Sequence, residues 1–597
     1  MLPILRENEI RILSIPPGSS DVGGPPPIDC DILVASLSDR NGFPEYETLS
    51  YVWGTEMASV PILVSGQSIV VSRSLHCAIR RLQLPDRKRL LWIDQICINQ
   101  QDMEEKTKQV QLMSDIYTRC SRCIAWVGEV KESVSPAEVD CAIQLLQYMA
   151  TASQAADPSS TPLPSAFPAG FEGAIKALGT ITPEQNEWWN RIWTVQEAAL
   201  PEHVIFQWGS FEITWTVLEQ AREAWVFNFP QPLENMLGQH PAGTSVLTNL
   251  IAHFTWLNIA RHRYDDLFQM IHRYRIRRAT DPRDKIYGLL GLCSRGRLPV
   301  TEKCDYSITA VEVFATLTQE LIIHEQGLRP LTNAPRQRPS ESTPGISSWA
   351  LDLYYAGVPF APDVYYLMHG YDEYNAAGQL GHIDLGAIKT RLGQKTLNLT
   401  GVYADTVVHV QDGYKTNSPD KASMPSTEQL LQEWYAVAVG CGFQASPDSV
   451  DTVAAELYPR GAYTRAEAFA VFVLGDTIRN TEQIPKREVE RDDIQDVWKI
   501  LLGRANEVSM ETRGTVYGMM VNQRMFVTKA GYFGCGHMDT EIGDEVWVFR
   551  GGNVPFTIRP RKEGEGYAFV GQCYLQGFMR GEVTSEDGLT EKTVSLY

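Results

Sequence analysis

No stretch of this 597-residue chain is apolar over the roughly 18 residues that a membrane-spanning helix needs. The start, Met1 to Ile10, meets Arg6 and Glu7 before any apolar segment of leader length develops, so no secretory signal is expected. Positive charge is scarce: 53 Lys and Arg stand against 72 Asp and Glu, a formal net charge of −19. Such a surface repels phosphate backbones and argues against broad nucleic-acid binding. The strip His272-Arg273-Tyr274-Arg275-Ile276-Arg277-Arg278 is the one local basic candidate. Also missing are a Walker loop, GxGxxG, GxSxG and HExxH, which removes the best-marked routes to kinase, dehydrogenase, hydrolase and zincin chemistry. Eleven cysteines, an odd number spread over so long a chain, fit a reduced protein of the cytoplasm rather than a disulfide scaffold. The one CxxC, Cys120 to Cys123, follows a helical pattern and precedes a strand, the opposite polarity to a redox motif. No second pair completes a zinc site, so these thiols are expected to be structural, with no metal bound.

What is present is ordinary globular material, 44% hydrophobic and 10% aromatic, enough for about three or four domains. The clearest pattern runs from Leu90 to Gly128. Leu90 to Ile93 is a short apolar run that reads as a buried strand, with Asp94-Gln95 at its carboxyl end, where open α/β sheets place their ligands. Asp102 is an N-cap signal, and Val110, Met113, Ile116 and Tyr117 recur at helical spacing. Cys123 to Val127 reads as a second buried strand. Strand, helix, strand predicts that Leu90–Ile93 and Ile124–Val127 are neighbouring parallel strands joined by the helix Met103–Tyr117.

The rest divides by composition. Residues 1–45 form an N-terminal β segment, with strands at Glu9–Ile15 and Asp31–Leu37 around a Gly/Pro-rich loop, Pro16 to Pro27. Residues 46–212 form an α/β domain with a strand from Glu45 to Gly54, a hairpin at Ser65-Gly66 and a disordered insertion near 154–169. Glu187 to Ala199 reads as one helix stopped by Pro201, followed by a strand from His203 to Trp208. Residues 213–330 are mainly helical and include Asp281-Pro282-Arg283-Asp284-Lys285-Ile286-Tyr287-Gly288, where Asp281 is placed to cap a helix starting at Pro282. Residues 331–520 are mixed, opening with a Pro-rich linker, Asn333 to Pro344. Residues 521–597 alternate densely with glycines and predict a small β-rich domain.

Trp188, Trp189 and Trp193 form an aromatic cluster of the kind that fills cores. Glu197 stands four residues after Trp193, which sets its carboxylate beside an indole on one helical face. An apolar neighbour raises a carboxyl pKa and suits it to proton or cation work; the alternative is a structural salt bridge.

These residues carry a resemblance. Leu49 to Gly54 (LSYVWG), Leu91 to Gln100 (LWIDQICINQ), Tyr117, Trp126-Val127-Gly128 and Arg191 to Glu197 (RIWTVQE) together resemble the fungal heterokaryon-incompatibility (HET) domain. The segments Asp281–Gly288, Gly531–Gly534 and Gly571–Tyr574 resemble sequence found after that domain in many large fungal proteins. Cys120 and Cys123 depart from the family's usual small apolar residues. The resemblance implies a role in programmed cell death after fusion of genetically different hyphae. HET domains are distantly similar to TIR domains, which implies a flavodoxin-like parallel sheet with flanking helices. Some TIR domains cleave the nicotinamide–ribose bond of NAD with a glutamate four positions after a tryptophan, the spacing of Trp193 and Glu197. On that reading Glu197 is catalytic, and Tyr51, Trp53, Asp94, Gln95, Arg191 and Trp193 bind substrate. NAD is then a substrate and no cofactor is required. On the competing reading the domain is a signalling module that assembles with itself or with an incompatibility partner.

Overall fold

In a computed structural model the chain is described throughout, except for residues 1–2, 19–27, 40–41, 55, 57–60, 158–160, 166, 168–169, 263–266, 294–297, 299–300, 333–343, 355–369, 387, 389–394, 415–424, 441–454, 461–462, 479–486, 563–564 and 586–589. The Gly/Pro-rich loop and the Pro-rich linker lie almost wholly outside the described residues, as does part of the 154–169 insertion. The chain forms two compact units, one of residues 1–297 and 302–308, the other of residues 298–301 and 309–597.

The first unit holds a nine-stranded mixed sheet. Its strands are β1 (Glu9–Ile15), β2 (Asp29–Ser36), β3 (Glu47–Ser50), β4 (Ile62–Val64), β5 (Gln67–Ile69), β6 (Arg89–Trp92), β7 (Cys123–Gly128), β8 (Val204–Trp208) and β9 (Phe211–Thr214). They lie in the order β5-β4-β2-β1-β6-β3-β7-β8-β9. The central four, β6, β3, β7 and β8, are mutually parallel, whereas β1 and β9 pair antiparallel on either side of them. Every residue of β8 is buried, as is all of β7 but Gly128, the near-continuous apolar run expected of strands covered on both faces. The hairpin β4–β5 turns at Ser65 and Gly66 with φ of 49° and 76°, the paired positive values of a type I′ turn.

Helices α1 (Arg73–Leu82), α2 (Asp94–Cys97), α3 (Met103–Arg119), α4 (Pro136–Ser153), α5 (Phe171–Gly179) and α6 (Thr194–Ala199) link or flank these strands. Helix α3 starts where the sequence places it: the Asp102 carboxylate accepts the amides of Glu104 and Glu105 at 3.0 and 3.1 Å. Val110, Met113, Ile116 and Tyr117 are on its buried face. Strands β6 and β7 share the sheet and run parallel, but they are not neighbours, because β3 lies between them. A strand–helix–strand pattern dictates parallel direction; it carries no information on how many strands the crossover passes.

Two further expectations are corrected. Glu187 to Ala199 is not one helix: Glu187–Asn190 is a 3₁₀ turn, Arg191 is extended, and α6 begins at Thr194. The Asn186 side chain caps the turn at the Trp188 amide, and Thr194 Oγ1 donates to the Trp188 and Arg191 carbonyls, so local side-chain bonds replace the helical ladder. The basic strip is not a surface patch either, since His272, Arg275 and Arg277 are buried.

Helices α7 (Trp215–Phe227), α8 (Gln231–Gln239), α9 (Pro241–His262), α10 (Leu267–Tyr274) and α11 (Asp284–Leu290) complete the unit. Helix α11 starts two residues after Pro282, because the Asp281 carboxylate is engaged by Arg283, accepting from its amide, Nε and Nη2.

The second unit is organised on a seven-stranded sheet that is β-rich at the carboxyl end, as expected, but begins well before residue 521. The long strand Leu397–Asp412 pairs with Gln523–Thr528, Glu545–Phe549 and Glu591–Leu596 and so helps close the sheet on itself. Closure brings backbones tight at Gly401, opposite Phe549, where a Cβ would stand 2.4 Å from the Val548 carbonyl oxygen and 2.7 Å from the Phe549 Cα. Gly401→Ala is therefore expected to destabilise this unit by about 2 kcal/mol, read as a lower thermal midpoint; an unchanged midpoint would show that the strand shifts at little cost.

Candidate functional site

Parallel pairing of β3 with β6 brings the residues that come after them to one edge of the sheet. Ser50 closes β3, with Tyr51 and Trp53 just beyond; Asp94 and Gln95 begin α2, separated from β6 by Ile93 alone. The break at Arg191 turns α6 so that Glu197 reaches the same edge. The Ser50 hydroxyl donates to Glu197 Oε2 at 2.5 Å and accepts from the Trp188 indole at 2.9 Å. Trp53 Nε1 donates to Asp94 Oδ2 at 2.9 Å, and the Gln95 amide donates to Asp94 Oδ1 at 2.7 Å. The Tyr51 hydroxyl donates to Gln95 Oε1 at 2.9 Å, and the Arg191 guanidinium donates to the Tyr51 carbonyl. Glu197 is 2% exposed and Tyr51 1%. Trp53, Asp94, Gln95 and Arg191 are half-buried and form the accessible rim.

Burial raises the Glu197 carboxyl to about 7; Asp94 pushes the same way, against Arg191 and the Ser50 hydrogen bond. Burial also raises Asp94, opposed by Arg191 and by hydrogen bonds from Trp53 and the Gln95 amide. The two carboxyls are thus shifted in the same direction rather than apart. A carboxyl that titrates near neutrality can hold or release a proton under working conditions.

Of the residues singled out in sequence, Tyr51, Trp53, Asp94, Gln95, Arg191 and Glu197 are brought together. Trp193 is not: its ring lies toward Asp284, whose carboxylate accepts the Tyr306 hydroxyl at 2.6 Å. The indole linked to Glu197, through Ser50, is Trp188. Ser50 and Trp188 were not legible as site residues; one is a strand end, and the other is indistinguishable in sequence from core. Trp188 does pack as core as well, edge-on to Trp189 and Phe206.

Cys120 and Cys123 are both buried. The Cys120 thiol, pushed up to about 11 by burial, donates to the Tyr117 carbonyl and accepts from Thr48. Burial raises Cys123 further still, the opposite of what a reactive thiolate needs. Among the described residues there is no group of three or more His, Cys, Asp or Glu placed to hold a metal ion, and no helix long and apolar enough to cross a membrane.

Two family profiles match this chain: the heterokaryon incompatibility protein (HET) profile over residues 46–197, ending on Glu197, and the Het-6 β-barrel domain over residues 481–592. The chain is also similar to heterokaryon incompatibility protein 6, OR allele, of Neurospora crassa. The two are 25% identical over 667 aligned positions that cover 96% of this chain and 94% of that protein. No solved structure matches significantly.

Proposed function

We propose, from the HET profile match, that this chain is a fungal HET-domain protein and a cytoplasmic effector of non-self recognition, killing the cell when genetically different hyphae fuse. The N. crassa relative, matched along nearly its whole length, supports the incompatibility role. We place the working centre at Glu197 and Asp94. The observation that carries this is their arrangement: two carboxyls, both raised by burial, stand with the Arg191 guanidinium near them at the carboxyl ends of parallel strands. The parallel strands run second, first, third, fourth across the sheet, the doubly wound order in which ligands bind outside those ends. That order also supports the flavodoxin-like reading of the domain.

In the catalytic form of the proposal the substrate is NAD. Glu197 in its ionised form stabilises the ribosyl cation left as the nicotinamide bond breaks, as carboxylates do in glycoside cleavage. Asp94 and Arg191, on the rim, orient ribose and phosphate, and the half-buried Trp53 ring offers a stacking face. Tyr51, buried, shapes the floor and bonds Gln95 on the rim. A second reading, assembly with itself or a partner protein without chemistry, is favoured by the burial of Glu197, which its own neighbours cover almost completely.

Viability and cellular NAD measured together in hyphae separate the two. If the site is catalytic, Glu197→Gln keeps NAD at its resting level and abolishes death, while Asp94→Asn weakens both effects less. Death with NAD intact in the unsubstituted protein would end the enzymatic reading. Death that survives Glu197→Gln is the outcome the assembly reading expects, and it would remove Glu197 from catalysis.

A further inference from the structure

Residues beyond the matched HET segment hold the helix that carries Glu197. The Arg278 amide donates to the Asn190 carbonyl, and the Ile192 amide donates back to the Arg278 carbonyl at 3.0 Å, a parallel bridge across the break at Arg191. Arg277 is 4% exposed. Its guanidinium donates to Thr194 Oγ1 at 2.9 Å and to the Arg191 carbonyl at 3.3 Å, so it grips both sides of the turn from which α6 starts. Lys285, buried in its turn, donates to the carbonyls of Arg275 and Arg277 and fixes the turn that presents Arg277. At the far end, Gly291 leaves no space: a Cβ there would lie 2.6 Å from Gln196 Oε1 and 2.8 Å from the Ser114 Cβ.

The energetics of this arrangement say something about its use. Burying a guanidinium and an ammonium is strongly unfavourable, and here their hydrogen-bond acceptors are neutral carbonyls and a hydroxyl rather than carboxylates. Burial alone lowers Lys285 to about 8, and it lowers Arg277 to about 10. Two buried cations on the backbone of one short turn are more than a surface connection needs. They are understandable where the direction of α6, and hence of Glu197, must be held.

We propose that residues 275–291, which include the Asp281–Gly288 motif, are a strap that completes the HET site, with Arg277 as the positioning residue for Glu197. The HET segment alone, ending on Glu197, is then not a complete site, and the motif serves the geometry of α6. The proposal rests on Glu197 being the working residue. Its test does not require any activity, so the two can fail separately.

The experiment is hydrogen exchange on the full chain, together with the pH at which Glu197 ionises. The second quantity is read as the pH-dependent stability difference between a given protein and its Glu197→Gln counterpart. In Arg277→Met, the amides of Val195 to Ala199 are expected to lose protection by about tenfold or more, while β3, β7 and β8 keep theirs. The Glu197 titration should fall by about one pH unit as water reaches the loosened carboxyl, and Arg277→Lys should restore part of both. If Arg277→Met does not fold, Gly291→Ala, which presses on Gln196 from the other end of the strap, is measured by the same two readouts. Protection lost evenly across the unit, or a titration that does not move while α6 loosens, would reduce the strap to ordinary packing and overturn the proposal.

Discussion

Glu197→Gln should leave the folded chain almost unchanged in stability at pH 4 and make it more stable at pH 8, by roughly 3.5 kcal/mol. The sign comes from linkage. In the fold Glu197 titrates at about 7, against an ordinary value of 4.5. Below about pH 4.5 the carboxyl is protonated in both folded and unfolded chains, and folding carries no penalty. Between 4.5 and 7 the unfolded chain ionises while the folded one resists, so stability falls as pH rises. Above 7 the loss is complete, and a gap of about 2.5 pH units between 4.5 and 7, at about 1.4 kcal/mol each, sets the size. Glutamine is neutral throughout, keeps an oxygen to accept the Ser50 hydroxyl, and escapes the loss. Denaturant midpoints for both proteins at pH 4, 6 and 8 check this; parallel curves would mean that Glu197 is ionised in the fold. Asp94, raised in the same direction, predicts a residual loss of stability with pH in the Gln variant.

The other large effect belongs to Trp188. Its side chain is fully buried, edge-on to Trp189 at 5.1 Å between ring centroids and to Phe206 at 5.5 Å, with its indole N–H on Ser50. Trp188→Ala should cost about 3–5 kcal/mol, the range for truncating a buried large aromatic. Trp188→Phe should recover most of the packing yet leave Ser50 without its donor. Trp193→Ala should cost clearly less, because that ring is half-buried. Urea unfolding of the three variants decides which tryptophan supports the site; a larger loss for Trp193 than for Trp188 would contradict the structure's assignment.

Most of the local architecture could be read from the chain because it depends on neighbours in sequence. The α3 cap at Asp102, the hairpin turn at Ser65-Gly66 and the buried runs of β6 and β7 are short-range signals, and each forms where the pattern puts it. Glu187 to Ala199 failed as a single helix for a longer-range reason. Side-chain caps from Asn186 and Thr194, backed by Arg277 and Arg278 from a distant part of the chain, outweigh a helical spacing of apolar residues.

The candidate site divides the same way. Sequence alone brought forward Tyr51, Trp53, Asp94, Gln95, Arg191 and Glu197, since they stand at strand ends and in the segments that carry the family resemblance. It also determined that the two strands of the βαβ pattern run parallel in one sheet, because a crossover helix leaves no other direction. Tertiary structure decided the rest. It set β3 between β6 and β7, gave Trp188 rather than Trp193 to Ser50, covered Glu197, and buried His272, Arg275 and Arg277 of the basic strip. Those outcomes depend on which surfaces meet across long separations, 86 residues between Arg191 and Arg277 and 147 between Ser50 and Glu197. A residue's type and spacing state what it can bond, but only packing selects the partner, and with it whether burial pushes a carboxyl toward neutral pH.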